Sequence, residues 1–180
     1  MNQMTMEYTI NQLKQLNGAQ DHRHQREGLD FITLPKAYAV EAITRLRDHE
    51  GFAHLVLLTA VDWLEQGQFQ LTYLLNNPVK KQDLGIRVLI PRETPVMDSI
   101  HLLWGQAATY QRELHEMFGI DFPGSPRVDQ PFILEGWDEM PPYRRGFDTK
   151  KYAEETYFPR PGRSSNDPTE YMKHQLYPDE

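Results

Sequence analysis

The sequence has no cysteine. That absence excludes disulfides, thiolate-held iron–sulfur clusters, Cys-type zinc sites and a Cys nucleophile within the chain. Any redox chemistry associated with it must therefore be carried by something else. Long hydrophobic runs are also missing. The most apolar piece, Phe52 to Leu64, is interrupted by His54 and Asp62 and is too short to span a bilayer. Nothing at the N-terminus resembles a signal peptide, so a soluble, cytosolic chain is expected. Basic charge is in deficit: 19 Lys and Arg stand against 26 Asp and Glu, net −7 with both signs mixed, and no stripe suggests nucleic acid. Glycine-rich phosphate loops and the GxSxG and HExxH motifs do not occur. A length of 180 residues suits one domain with a real core.

What is present reads as an α+β domain. Met6 to Leu16 has helical apolar spacing, and Asn17-Gly18 stops it. Asp21 to Glu27 reads as a solvated polar loop; its His22 and His24, two apart, have no evident partner for metal binding. Asp30 to Leu34 is a short strand, and Lys36 to Asp48 is a helix burying Ala39, Val40, Ile43 and Leu46. Phe52 to Trp63 is a central strand, Glu65 to Gly67 a hairpin turn, and Phe69 to Leu75 the returning strand. Asn76 to Asp83 is a polar loop. Ile86 to Ile90 is a further strand, stopped by Pro91. Asp98 or Ser99 can cap a short turn with Ile100 and Leu103. The expected architecture is a largely antiparallel four-stranded sheet with two to three helices on one face.

The chain is organised around Trp104 to Gly119, an amphipathic helix whose apolar positions are Trp104, Ala107, Ala108, Leu114, Met117 and Phe118. Gly119 fits a left-handed C-terminal cap. Beyond it the composition changes: nine of the 13 prolines lie between residues 121 and 180, and after Leu134 the one remaining Val, Ile or Leu is Leu176. Aromatic residues nevertheless run through the segment, from Trp137, Tyr143 and Phe147 to Tyr171 and Tyr177, which a free tail usually lacks. Two units are expected: a head over 1–120 and an extended arm over 121–180. Either the arm lies on a partner, as its stiff and aromatic character favours, or it folds back on its own sheet.

Arg112, Glu113, His115 and Glu116 form the densest ionisable cluster. Arg112 and Glu116 have the spacing of an i,i+4 pair. Glu113 with His115 is the candidate acid–base set of a small stand-alone enzyme, although residues two apart do not share a helix face. The bland reading is a solvated helix face. Asp62 sits inside an apolar strand, where one satisfied hydrogen bond explains it more simply than catalysis. Arg144 and Arg145, with Arg160 and Arg163 later, suit an anion or acidic residues on a partner.

The run Trp104…Ala108-x-Tyr110-Gln-Arg-Glu-x-x-Glu-Met-Phe-Gly119 resembles the signature of the C subunit of respiratory complex I, the NADH–quinone oxidoreductase. Similar subunits occur in energy-converting membrane-bound [NiFe] hydrogenases and formate hydrogenlyase-type complexes. The pattern W-x-x-A-x-W-x-E-R-E-x-x-D-[ML]-F-G-I is matched at Trp104, Ala108, Arg112, Glu113, Met117, Phe118, Gly119 and Ile120, and Glu116 replaces the Asp. The family's H-P looks like Ser125-Pro126, and its P-L-R-K-D-[FY] looks like Pro142-Tyr-Arg144-Arg145-Gly-Phe147. Asp62 resembles an acidic residue of the family's strand hairpin. Gln111, Tyr110 and Ser125 depart from the family's Glu, Trp and His. The likeness is strong over 99–147, looser over 30–98, and absent from 1–25 and 150–180. It implies a non-catalytic subunit in the peripheral arm of an ion-translocating complex, on the cytoplasmic face of the membrane. It also implies no cofactor in this chain, with iron–sulfur clusters and quinone held by partner subunits. The arm would wrap the hydrogenase-large-subunit-like D subunit, with the small-subunit-like B subunit nearby.

Overall fold

A computed structural model describes residues 5–158 together with Arg160, Asp167 and Thr169. Arg163, Tyr171 and Tyr177 lie outside these residues. The chain divides into two compact units, Met1–Arg145 and Gly146–Glu180.

The first unit is α+β. Helix α1 (Met6–Asn17) is capped by the Thr5 side chain. Strands β1 (Gln20–Arg26) and β2 (Leu29–Leu34) precede α2 (Lys36–Glu50), and β3 (His54–Trp63), β4 (Gln68–Asn77) and β5 (Gln82–Pro91) follow. A 3-10 turn over Leu64–Gln66 closes the β3–β4 hairpin, and α3 spans Ala107–Phe118. The sheet runs in the order β1-β2-β5-β4-β3. All its pairs are antiparallel except β2 with β5.

Two features of the sheet differ from expectation. There are five strands rather than four, because the polar stretch Gln20–Arg26 pairs with β2 as an edge strand exposed along its whole length. Such a strand has no buried alternation for a periodicity argument to detect. His22 Nε2 and His24 Nδ1 also have a partner, Asp30 Oδ1, at 2.8 and 3.2 Å. The second difference is β3, expected as a central strand, which lies at the edge of the sheet and pairs with β4; the single parallel pair, β2 with β5, leaves the sheet largely antiparallel as expected.

The register explains the core. Rows such as Ile32–Ile86–Tyr73–Leu58 and Leu34–Val88–Leu71–Ala60 run across four strands on one face, and every member is buried. Ile10 and Leu13 of α1 and Ala39, Ile43 and Leu46 of α2 belong to the same buried cluster. Gly85 is required where Phe31 crosses from β2, because a Cβ there would lie 2.2 Å from the ring. At the outer edge of β3, Trp104 Nε1 donates to Ala53 O (2.8 Å), Gln106 Nε2 to Leu55 O, and Tyr110 OH to Val56 O (3.0 Å).

In the second unit, α4 (Thr149–Tyr157) interrupts the stretch expected to be extended. The Asp148 side chain caps it at Lys151 N, and Lys150–Glu154 and Lys151–Glu155 pair along it. Phe147, Tyr152 and Tyr157 form a chain of ring contacts within this unit.

Candidate interface site

Helix α3 begins at Ala107, with Trp104 in the turn before it rather than in its first turn. It buries Ala107, Gln111, Leu114, Met117 and Phe118, while Ala108 is half-buried. The helix ends on Gly119 at φ 70°, whose N–H bonds His115 O at 2.8 Å. A glycine is needed there for two reasons. The left-handed conformation disfavours a side chain, and a Cβ would lie 2.9 Å from Arg144 Nη2 and 3.3 Å from Pro141 Cγ.

Those two contacts belong to residues 121–145, which run back over α3 with little regular structure of their own. Polar side chains hold the segment by gripping backbone. Arg144 Nε donates to Phe118 O at 2.7 Å, satisfying a carbonyl at the helix end, where a cation also complements the dipole. Tyr143 N donates to Met117 O at 3.0 Å. The Arg144 guanidinium lies 5.3 Å from the Phe69 ring centroid, and Phe118 meets Phe69 and Tyr143 edge-on at 5.9 and 5.7 Å. Burial, and then neighbouring Arg92, lower the pKa of Arg144. The guanidinium remains charged at any ordinary pH.

Asp62 closes the contact from the sheet side. Its Oδ1 accepts from Arg92 Nε and its Oδ2 from the backbone N of Arg145, both at 2.9 Å. The Asp62 carboxylate is 1% exposed, so an unpaired charge there would be costly. Arg145 Nη1 meets Glu65 at 2.6 Å. Glu65's pKa is lowered, first by a backbone hydrogen bond of its own and then by Arg145.

The third anchor is Glu116. It does not pair with Arg112, although the spacing allowed it. Its two oxygens accept three consecutive backbone N–H groups, from Phe132 (2.7 Å), Ile133 (2.9 Å) and Leu134 (3.2 Å). Arg112 instead lies over the Phe132 ring at 5.2 Å. A carboxylate is worth more here than as one half of an exposed pair, because charge-assisted hydrogen bonds are roughly twice as strong as neutral ones.

Asp62, Phe118, Gly119, Arg144 and Arg145 thus converge on one end of α3, and Glu116 on its flank; Pro142 is half-buried between Pro141 and Tyr143 in the chain. Trp104 lies elsewhere, at the edge of β3, and Pro126 is exposed. Phe147 belongs to the second unit. Glu113 and His115 are not brought together: His115 Nδ1 contacts Ile120 O at 3.2 Å and its Nε2 lies 3.8 Å from Asp129, with no hydrogen bond to Glu113. Among the described residues no group of three or more His, Cys, Asp or Glu is placed to hold a metal ion. Gln111, buried despite its polarity, accepts from both Ser99 Oγ (2.7 Å) and Ser125 Oγ (2.8 Å). Two of the departures from the family pattern, Gln111 and Ser125, therefore touch each other.

A family described as "Respiratory-chain NADH dehydrogenase, 30 Kd subunit" matches residues 32–153. The C subunit of the NADH-quinone oxidoreductase of Moorella thermoacetica is 31% identical over 103 residues, covering 56% of this chain and 70% of that one. The protein of the same name from Novosphingobium aromaticivorans is 27% identical over 134 residues, covering 74% of this chain but only 43% of the longer relative. Solved structures that share the fold include two of note. One is "Nqo5 of the trypsin-resistant fragment (1-134)", with TM-score 0.59 and 25% identity over 67% of this chain and 97% of that one. The other comes from a membrane-bound sulfane sulfur reductase described as an archaeal respiratory membrane complex, with TM-score 0.76 and 23% identity over 88% and 97%.

Proposed function

The chain belongs to the family of respiratory-chain NADH dehydrogenase 30 kDa subunits, and from that membership we propose that it is a non-catalytic scaffold subunit of a quinone-reducing, ion-translocating oxidoreductase. In this reading the complex takes electrons from NADH or ferredoxin. The chain itself brings no cofactor; iron–sulfur clusters and quinone sit in the partners. Those partners are the hydrogenase-large-subunit-like and small-subunit-like subunits, in the peripheral arm on the cytoplasmic face of the membrane.

One observation carries the reading. Three charged side chains on and around α3 are spent on holding backbone. Asp62, Glu116 and Arg144 each grip a main-chain group of residues 118–145. They fix the point from which the remaining chain departs, which supports a scaffold role. The relative described as a trypsin-resistant fragment ends at its residue 134, which fits an arm that depends on a partner for protection.

The test is an affinity pull-down of the tagged chain from its native membranes in mild detergent, with the co-purifying proteins identified by mass spectrometry. Iron–sulfur and membrane subunits are expected, and their identity separates a quinone reductase from a hydrogenase. Recovery of a lone, monodisperse chain would overturn the scaffold reading. Arg144→Ala with Arg145→Ala is expected to weaken assembly while the sheet stays folded. Normal assembly of that double variant in a native gel would remove the docking role of the two arginines.

A further inference from the structure

The loop that Glu116 holds presents apolar side chains outward. Ile133 is 68% exposed and Met140 47%, beside the half-buried Leu134 and Trp137. The loop is not loose: three of its successive amides are tied to one carboxylate, while Phe132 turns in beneath Arg112. Ile133 is thus held in water by a rigid support. Between the loop and the C-terminal half of α3 runs a groove of about 340 Å³ with His115, Pro131, Leu134, Trp137 and Pro141 in its walls. Asp129 and Glu139 also line it.

Charge specifies what fits. From Val128 to Pro141 the chain has four acids, Asp129, Glu135, Asp138 and Glu139, and no Lys or Arg. The Asp129 side chain is 89% exposed and, among the described residues, meets the His115 ring alone, at 3.8 Å. A groove with apolar walls and a one-signed rim has the layout of a protein interface, with an apolar centre and charges that steer and orient the incoming surface.

We propose that this groove docks a basic segment of a partner protein. The segment sets an apolar side chain against Pro131 and Leu134 in the groove wall, next to exposed Ile133, and brings a Lys or Arg between Asp129 and Glu139. The inference rests on the scaffold reading and adds the chemistry of one contact to it.

The test uses the full chain expressed in its native host, comparing wild type with Asp129→Lys/Glu139→Lys and with the milder Asp129→Asn/Glu139→Gln. Co-purification is followed as salt is raised, and a carbodiimide that joins carboxylates directly to lysines is applied to the purified wild-type assembly. The charge-reversed chain is expected to lose about tenfold in recovered partner, and the neutralised chain less. The thermal melt of each isolated variant should match wild type, because the altered side chains are exposed. If the reversed chain melts early, the neutralised pair decides. Partner recovery equal to wild type at every salt concentration overturns the inference and leaves the scaffold reading intact, as does a cross-link from the loop to a second copy of this chain. If wild type itself recovers no partner, the scaffold reading fails and the inference with it.

Discussion

The sheet and residues 121–145 are both ordered, but by different means. In the sheet, side chains pack on side chains: the covered face is row upon row of buried Leu, Ile and Val, joined by continuous backbone ladders. Along 121–145 there is little ladder, and order comes from side chains that grip main chain, through Glu116, Arg144 and Asp62. The first arrangement is redundant, since one lost methyl group leaves its neighbours in contact. The second concentrates its stability in a few polar atoms, so single substitutions should release it without disturbing the sheet.

Phe118 is where the two meet, edge-on to Phe69 of the sheet and to Tyr143 of the strap. Phe118→Ala should cost about 3–4 kcal/mol in a urea titration, the largest effect expected of a single substitution in this region. Glu116→Ala sharpens the contrast. It should cost about 2 kcal/mol and accelerate amide exchange at Phe132, Ile133 and Leu134, leaving the amide of Tyr73 in β4 slow; uniform acceleration would mean that the two regions are one cooperative unit. Gly119→Ala should cost about 1 kcal/mol or somewhat more, from the left-handed backbone and the push on Arg144, read as a lowered melting temperature. The smallest effect is at Glu65. Its pKa is lowered from 4.5, so its contribution is present above that pH and is lost as pH falls through the lowered value. Arg145→Ala should move the Glu65 midpoint, followed by NMR, back towards 4.5 but not all the way, because the backbone hydrogen bond remains.

The same contrast explains what could be read from the sequence. Alternation along Phe69–Leu75 and helical spacing in α2 are side-chain patterns, so the core strands and helices are legible. Strand β1 is not, because QDHRHQR has no inner face to mark it. The helix α4 carries local signals: Asp148 at the cap and Lys–Glu pairs four apart. The convergence of Asp62, Arg144 and Gly119 comes from residues far apart along the chain and has no local trace. Glu116 stands out by its charge, but its spacing points to the wrong partner, because its three donors are main-chain N–H groups that every sequence contains and none displays. Gln111 falls outside the apolar stripe by residue type, and its buried side-chain oxygen is satisfied by Ser99 and Ser125, residues that no local spacing points to.

The three hydrogen bonds from Trp104, Gln106 and Tyr110 to the rim of β3 also bear on the protein before it meets any partner. A bare strand edge is a template on which another chain can add a strand, and sheets that grow in this way precipitate. Here the carbonyls of Ala53, Leu55 and Val56 are already occupied, and the opposite edge of the sheet carries Arg23, Arg26 and two histidines along β1. The first part of the β3 edge and the charged β1 edge are therefore poor templates for strand addition.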